Sequence, residues 1–165
     1  MQNLIDAPEL RRLLSYDPET GEFRWRVSRR GVTAGALAGT LNHQGYWRIF
    51  IYGKAYLGHR LVWLYVYGEW PQGDIDHVNR TRSDNRLCNL RVATRSQNLG
   101  NMGRRPVNTS GYKGVTWHKR AEKWLAQISV NRKNIYLGLF NCPIAAHAAY
   151  IAKARSLFGE FARAA

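Results

Sequence analysis

Cysteine is scarce in this 165-residue chain, which has only Cys88 and Cys142. Two isolated thiols exclude a disulfide framework and a cysteine-clamped structural zinc, and they fit a reducing, intracellular compartment. Acid is scarce as well, with 11 Asp+Glu against 25 Lys+Arg and a formal net charge of +14. That surplus points to a polyanionic partner, because each phosphate neutralised by Lys or Arg releases condensed counterions. Nucleic acid is the first candidate and a membrane surface the second. No apolar run reaches the roughly 18–20 residues that cross a bilayer. The opening stretch MQNLIDAPELRRLL carries acids early and lacks the long apolar core of a signal peptide. Tandem repeats and low-complexity segments are missing too. The apolar and aromatic content is that of folded protein, in one or two small domains.

The residue pattern predicts an α+β chain. LIDAPELRRLL places Leu4, Ile5, Leu10, Leu13 and Leu14 on one helical face. Asp-Pro and Thr-Gly pairs then mark turns, and residues 22–27 alternate as a strand does. Residues 31–39 are rich in Gly and Ala and read as a loop. Residues 46–52 form a strand, Gly53-Lys54 a tight turn, and residues 55–57 the returning strand. An apolar helix over residues 59–67 ends at Gly68 and Pro71. GRRPVNTSG (103–111) reads as a linker, so the sequence divides into 1–103 and 104–165. The second part holds 11 Lys+Arg and 2 acids, the first 14 and 9. In the second part YKGVTWHKR, KWLAQISVNRK and NIYLGLFN read as three strands, and residues 143–158 as one helix with Pro143 at its first position.

Between them lies IDHVNRTRSDNRLCNLRVATRSQN (75–98), with four Asn and five Arg around one His. Asparagine is a poor helix and strand former but a good turn residue and a neutral oxygen ligand. Phosphodiester hydrolysis needs a base for water, a cation for the leaving oxygen, and a group that holds the base. A histidine neutral near pH 7 suits the first task, and carboxylate and amide oxygens suit a hard ion such as Mg²⁺. On extended chain, Asp76 and His77 point to opposite sides. Asn89 lies twelve residues beyond His77, and Asn98 nine further. Thr94-Arg95-Ser96-Gln97 has the form of a capping box, which starts a short helix carrying Asn98 in its first full turn. The competing reading is a generic basic loop, with Asn79, Asn85 and Asn89 as turn formers and His77 on the surface.

DH (76–77), DNRLCNL (84–90), Thr94 and QN (97–98), with HRLVW (59–63) upstream, resemble the HNH endonuclease motif in its phage and intron-encoded homing form. The resemblance spans residues 59–98 and implies a ββα-metal nuclease module with an N-terminal β-rich extension. It implies His77 as general base, Asn89 as the residue that orients its ring, and Asp76 and Asn98 as ligands of one divalent ion, Mg²⁺ or Mn²⁺. Arg60, Arg80 and Arg86 are candidate nucleic-acid contacts, Arg60 for the phosphate of the scissile strand. His59 either lines the cleft or caps the helix it begins. Cys88, between Leu87 and Asn89, reads as a small buried side chain.

Residues 111–161, with YKGV (112–115), KW (123–124), the YLG-x-F turn (136–140) and Ala148-Ala149-Tyr150, resemble the DNA-binding domain of the Apetala-two and ethylene-response-factor family. The resemblance implies a three-stranded antiparallel sheet packed on one helix and laid in the major groove of double-stranded DNA. On the middle strand Trp124, Ala126, Ile128 and Val130 face the helix. Leu125, Gln127 and Ser129 face outward, with Gln127 able to read a base edge. Lys113, His118, Lys119, Arg120, Arg132 and Lys133 are candidate phosphate contacts. Thr116, Gln127 and Ser129 stand where plant members carry charge, which bears on base preference. Trp117, Trp124 and Tyr136 read as core, as do Trp25, Trp63 and Trp70.

The resulting expectation is a metal-dependent DNA endonuclease, nicking or homing in type, with no membrane association and no obligate protein partner. The alternatives are a DNA-binding regulator with an inert HNH-like fold, and an RNA-binding protein using charge and aromatics. The RNA reading lacks any specific motif.

Overall fold

The computed structural model describes residues 5–29, 31–103 and 107–163. Leu4, expected on the first helical face, and position 104, the expected start of the second domain, lie outside them. By internal contact the chain divides into two compact units, Met1–Val92 and Ala93–Ala165.

The first unit opens with α1 (Ala7–Leu13). Asp6 caps it by accepting Glu9 N–H at 2.9 Å, which satisfies one of the donors that a helix start leaves unpaired. Leu14 leaves the helix and begins β1 (Leu14–Tyr16), which pairs antiparallel with β2 (Phe23–Trp25). A second sheet has the order β3 (Thr40–Leu41), β4 (Trp47–Ile51) and β5 (Lys54–Leu57). The β4–β5 turn sits on Tyr52 and Gly53, with φ of 51° and 75°, one residue earlier than the sequence predicts. Both residues of such a turn need positive φ, and Gly53 supplies it best in the second position. α2 (Gly58–Tyr67) comes next and stops at Gly68, whose N–H bonds Leu64 O. Leu10, Leu13, Leu14, Phe23, Ile49, Ile51, Leu61 and Leu64 form the core between these elements, and Trp25 joins them. Trp63 and Trp70 pack against that core from its edge, as expected. β6 (Asp74–His77) then pairs with β7 (Leu90–Ala93).

Gly21 ties the N-terminal hairpin to the loop between β6 and β7. Its φ is 76°, and a Cβ there would stand 2.5 Å from Arg86 N and 2.7 Å from Asn85 C. Tyr16 Oη donates to Asn85 O at 2.9 Å from the same side.

The second unit begins with α3 (Arg95–Asn101), started by the predicted capping box: Thr94 Oγ1 accepts Gln97 N–H, and Gln97 Oε1 accepts Thr94 N–H at 2.8 Å. β8 (Val115–His118), β9 (Lys123–Val130) and β10 (Lys133–Phe140) form an antiparallel sheet of order β10-β9-β8. α4 (Pro143–Phe158) covers one face and starts at Pro143 as predicted. Ala126 and Ile128 are buried toward α4, while Gln127 and Ser129 lie on the other face. Gly100 of α3 lies against Phe158, so the segment from Ala93 to Gly103 is packed with the second unit. Sequence composition places a linker after this segment; packing joins the segment to the sheet and helix beyond that linker.

Two assignments change. Trp117 is 46% and Tyr136 64% exposed, so these rings are not core; of the three aromatics only Trp124 packs against the unit's interior. Cys88 is exposed, because the short 3₁₀ turn Leu87–Asn89 buries Asn89 in place of the thiol; Cys142, before α4, is exposed as well.

Gly21→Ala should destabilise the chain more than Gly31→Ala. Both positions have positive φ, costing about 1 kcal/mol for an L side chain, but only at Gly21 does the new Cβ meet backbone. Urea unfolding of the two variants measures the difference. Equal midpoints would mean that the hairpin does not brace the loop.

Candidate active site and nucleic-acid interface

β6 delivers Asp76 and His77 side by side, each 5% exposed. Neighbouring strand residues point to opposite faces, so the two side chains have different surroundings. Asp76 Oδ2 accepts both Nε and Nη2 of Arg91 at 3.0 Å. The guanidinium fork fixes the carboxylate on the strand and compensates its burial. Sequence reasoning had no role for Arg91; its alternate-strand position beside Asp76 is visible only once β6 and β7 pair.

His77 Nε2 lies 3.4 Å from Asn85 Oδ1. Burial pushes the ring below the ordinary imidazole range, while Asn85 and the nearby Asp76 and Asp84 pull it back up. Burial dominates, so the ring is neutral at pH 7 and one nitrogen is basic. With Nε2–H donated to the amide oxygen, that nitrogen is Nδ1. Asn85 is 2% exposed and makes the ring contact that the sequence assigns to Asn89.

Asn89 is buried and serves the loop. Its Oδ1 accepts Asn79 N–H at 2.9 Å, its Nδ2 donates to Asp84 O at 2.8 Å, and its backbone oxygen accepts Val78 N–H at 2.9 Å. These bonds close the turn after His77. Asp84 in turn takes Arg86 Nε at 2.9 Å and Nη2 at 2.7 Å, and the Arg86 hydrogen bonds hold its carboxyl down at about 2.

His59 does not cap α2, whose N-cap is Leu57 with no side-chain bond. It is buried edge-on against His77, with ring centroids 5.0 Å apart, and Tyr46 lies 5.3 Å from His59 and 6.0 Å from His77. Burial, then the charges of His77 and Arg60, push His59 down to about 3. Its Nδ1 has no hydrogen-bond partner among the described residues. Arg82 closes the group, its guanidinium 5.0 Å above the Tyr46 ring and donating to Gln44 O at 2.9 Å.

The candidate nucleic-acid contacts divide by exposure. Arg80, Lys119, Arg120, Arg132 and Lys133 are exposed, as expected of phosphate contacts. Arg86 is exposed but paired with Asp84. Arg60 is half-buried and donates to Gly73 O at 3.2 Å and Pro71 O at 3.5 Å, which makes it a brace for the approach to β6. Lys113 is drawn off the surface: its Nζ donates to Gly100 O and Met102 O at 2.6 Å and to Leu99 O at 3.5 Å. His118 Nδ1 accepts Ala121 N–H at 3.1 Å and shapes the β8–β9 turn. On the face away from α4, Gln127 stands opposite Tyr136, Thr116 opposite Leu125, and Ser129 donates its hydroxyl to Asn134 Oδ1. The exposed Tyr136 ring is the residue of this face that sequence reasoning assigned to the interior.

Asn98 lies in the second unit, half-buried on α3, with its N–H bonded to Thr94 O at 2.9 Å. Among the described residues no three His, Cys, Asp or Glu side chains form a metal-holding group. A carboxylate such as Asp76 and an amide oxygen such as Asn98 are each a donor type that suits a hard divalent ion; Asp76 belongs to the first unit and Asn98 to the second. No helix among the described residues is long and apolar enough to cross a membrane.

A family profile described as HNH endonuclease matches residues 56–99, and one described as AP2 domain matches residues 110–160. Protein 3.8 of Escherichia phage T7 is 37% identical over 81 residues, covering 48% of this chain and 67% of that protein. A solved structure, "DNA binding and cleavage by the HNH homing endonuclease I-HmuI", is 26% identical with a TM-score of 0.44. The match covers 59% of this chain and 55% of that one.

The buried His59 gives the fold an acid liability. Its pKa is about 3 when folded and 6.5 otherwise. Below pH 6.5 the unfolded chain takes up a proton that the folded chain refuses, so stability is intact above that pH and is lost as pH falls toward 3. His59→Phe should flatten the fall by up to about 1.4 kcal/mol per pH unit. Urea unfolding at pH 7, 6, 5 and 4 tests this, and parallel curves for both proteins would refute it.

Proposed function

The chain belongs to the HNH endonuclease family, with an AP2-type DNA-binding domain after the nuclease motif, and from this premise we propose that it hydrolyses phosphodiester bonds of double-stranded DNA with a divalent ion. The observation that carries the reading is the pair on β6. A buried neutral imidazole backed by a neutral amide stands next to a buried carboxylate backed by an arginine fork.

In this reading His77 is the general base. Asn85 holds Nε2–H, so Nδ1 accepts a proton from the water that attacks phosphorus. A carboxylate in place of Asn85 would raise the ring's pKa and repel phosphate; an amide orients it without either effect. Asn89 acts one step away, holding the turn after His77 closed. Asp76 and Asn98 would be the residues that hold the divalent ion, Mg²⁺ or Mn²⁺, which would supply Lewis-acid charge to the phosphate when bound. Arg91 holds the Asp76 carboxylate in place.

DNA is positioned by the outward face of β8, β9 and β10. Gln127 and Tyr136 offer an amide and a ring to base edges, and Lys119, Arg120, Arg132 and Lys133 contact phosphates. The functional division falls at 103/104, with residues 1–103 carrying the cutting chemistry and 104–165 the DNA-reading surface. The surplus of basic charge in residues 104–165 supports that division, since phosphate contacts supply most non-specific affinity.

Purified protein should convert supercoiled plasmid to nicked or linear form in Mg²⁺ or Mn²⁺ and stop in EDTA. His77→Ala should lose roughly 10²–10⁴-fold in rate while binding DNA as wild type does. Full activity in EDTA refutes the metal. Intact plasmid with both ions, alongside tight DNA binding, leaves the inert-regulator reading.

A further inference from the structure

α3 has seven residues, about two turns. Helices this short do not persist in water on propensity alone, so their geometry comes from caps and packing. Both ends of α3 are held by residues far along the chain but inside the same compact unit. At the start, Ser96 Oγ donates to Asn131 Oδ1 at 2.8 Å and accepts Asn131 N–H at 3.0 Å. Asn131 and Arg132 form the β9–β10 turn, with φ of 49° and 65°. At the end, the Lys113 ammonium sits on three carbonyls, those of Leu99 and Gly100 in the last turn and of Met102, the residue that caps it. These are oxygens that a helix end leaves unpaired, at its negative pole. Between the two clamps Gly100 meets the Phe158 ring closely enough that a Cβ would stand 2.9 Å from it.

Resting on the assignment of Asn98 as a metal ligand, we propose that Ser96, Asn131 and Lys113 are positioning residues for it: the DNA-binding unit sets the geometry of the ligand-bearing helix. Asn98 lies two residues from Ser96 and one from Leu99, so it sits in the span that the clamps fix. Burial pushes the Lys113 ammonium down to about 8, a desolvation cost that the three carbonyls offset. A lysine placed only to meet phosphate would stay in water.

The test uses the full chain with Ser96→Ala, Lys113→Met, Lys113→Arg and Asn98→Ala. Alanine is the better helix former, so Ser96→Ala removes the clamp without lowering propensity. Three readouts apply: Mn²⁺ binding followed by electron paramagnetic resonance on a phosphorothioate duplex, hydrogen exchange at the Asn98 and Met102 amides against those of β9, and duplex affinity in EDTA. Ser96→Ala and Lys113→Met should weaken Mn²⁺ binding and speed α3 exchange roughly five- to tenfold, the effect of losing one cap. β9 exchange and duplex affinity should not move, and Lys113→Arg should restore both values. Wild-type Mn²⁺ binding in Ser96→Ala and Lys113→Met, with binding lost in Asn98→Ala, overturns the clamp alone. Loss of α3 and β9 protection together overturns it too, because the residues would then serve the unit's fold. Unchanged Mn²⁺ binding in Asn98→Ala instead refutes the ligand assignment on which the proposal rests.

Discussion

The arrangement around β6 depends on the contact between His77 Nε2 and Asn85 Oδ1. A base that works near neutral pH must be uncharged and fixed in orientation at once. Burial meets the first need and an amide the second, but an amide 2% exposed must itself be held. Tyr16 binds the Asn85 carbonyl and Gly21 lies on its backbone, so the N-terminal hairpin braces the ring from about 60 residues away in sequence. On the proposed reading, in which His77 is the base, the β-rich extension supports the chemistry and is more than a spacer.

The chain spends its few acids carefully. Glu9, Glu22, Asp84 and Asp76 each pair with an arginine, and only the last pair is buried. Exposed pairs contribute little to stability, and of these three only Asp84–Arg86 lies in a loop, whereas Glu9–Arg12 is a pair within α1. Around the candidate site, asparagines take the structural work that carboxylates do elsewhere. Asn79, Asn85 and Asn89 together close one turn, orient one ring and hold one loop without adding a negative charge that would repel phosphate.

Features set by local chemistry were legible from the sequence. Pro143 at the start of α4, the Thr94–Gln97 capping box and the alternation along β9 each depend on residues a few positions apart, and each is found as read. Features set by distant packing were not. Asn85 and Asn89 lie in the same seven-residue motif, and nothing local says which one reaches the imidazole and which one holds the loop. Lys113 sits in a basic stretch that reads as DNA-facing, yet α3 draws it inward. Tyr136 carries the hydrophobic signature of an interior ring, but the register opposite Gln127 turns it outward. The linker at 103–111 is visible in composition, whereas the allegiance of the residues just before it depends on Phe158, more than fifty positions later.

That allegiance constrains how such a chain can be rebuilt from interchangeable parts. Judged by motif, a nuclease ending at Asn98 and a DNA reader starting near Gly111 look separable, and a genetic crossover in the linker would trade one reader for another. The incoming reader, however, would have to supply a lysine at position 113, a turn residue at 131 able to meet Ser96, and an aromatic ring at 158 shaped to Gly100. A graft lacking them would inherit the complete motif with its last helix unsupported. On the proposed reading, new target preferences would be reached more readily by changing outward side chains such as Gln127 and Thr116 than by exchanging the domain that carries them.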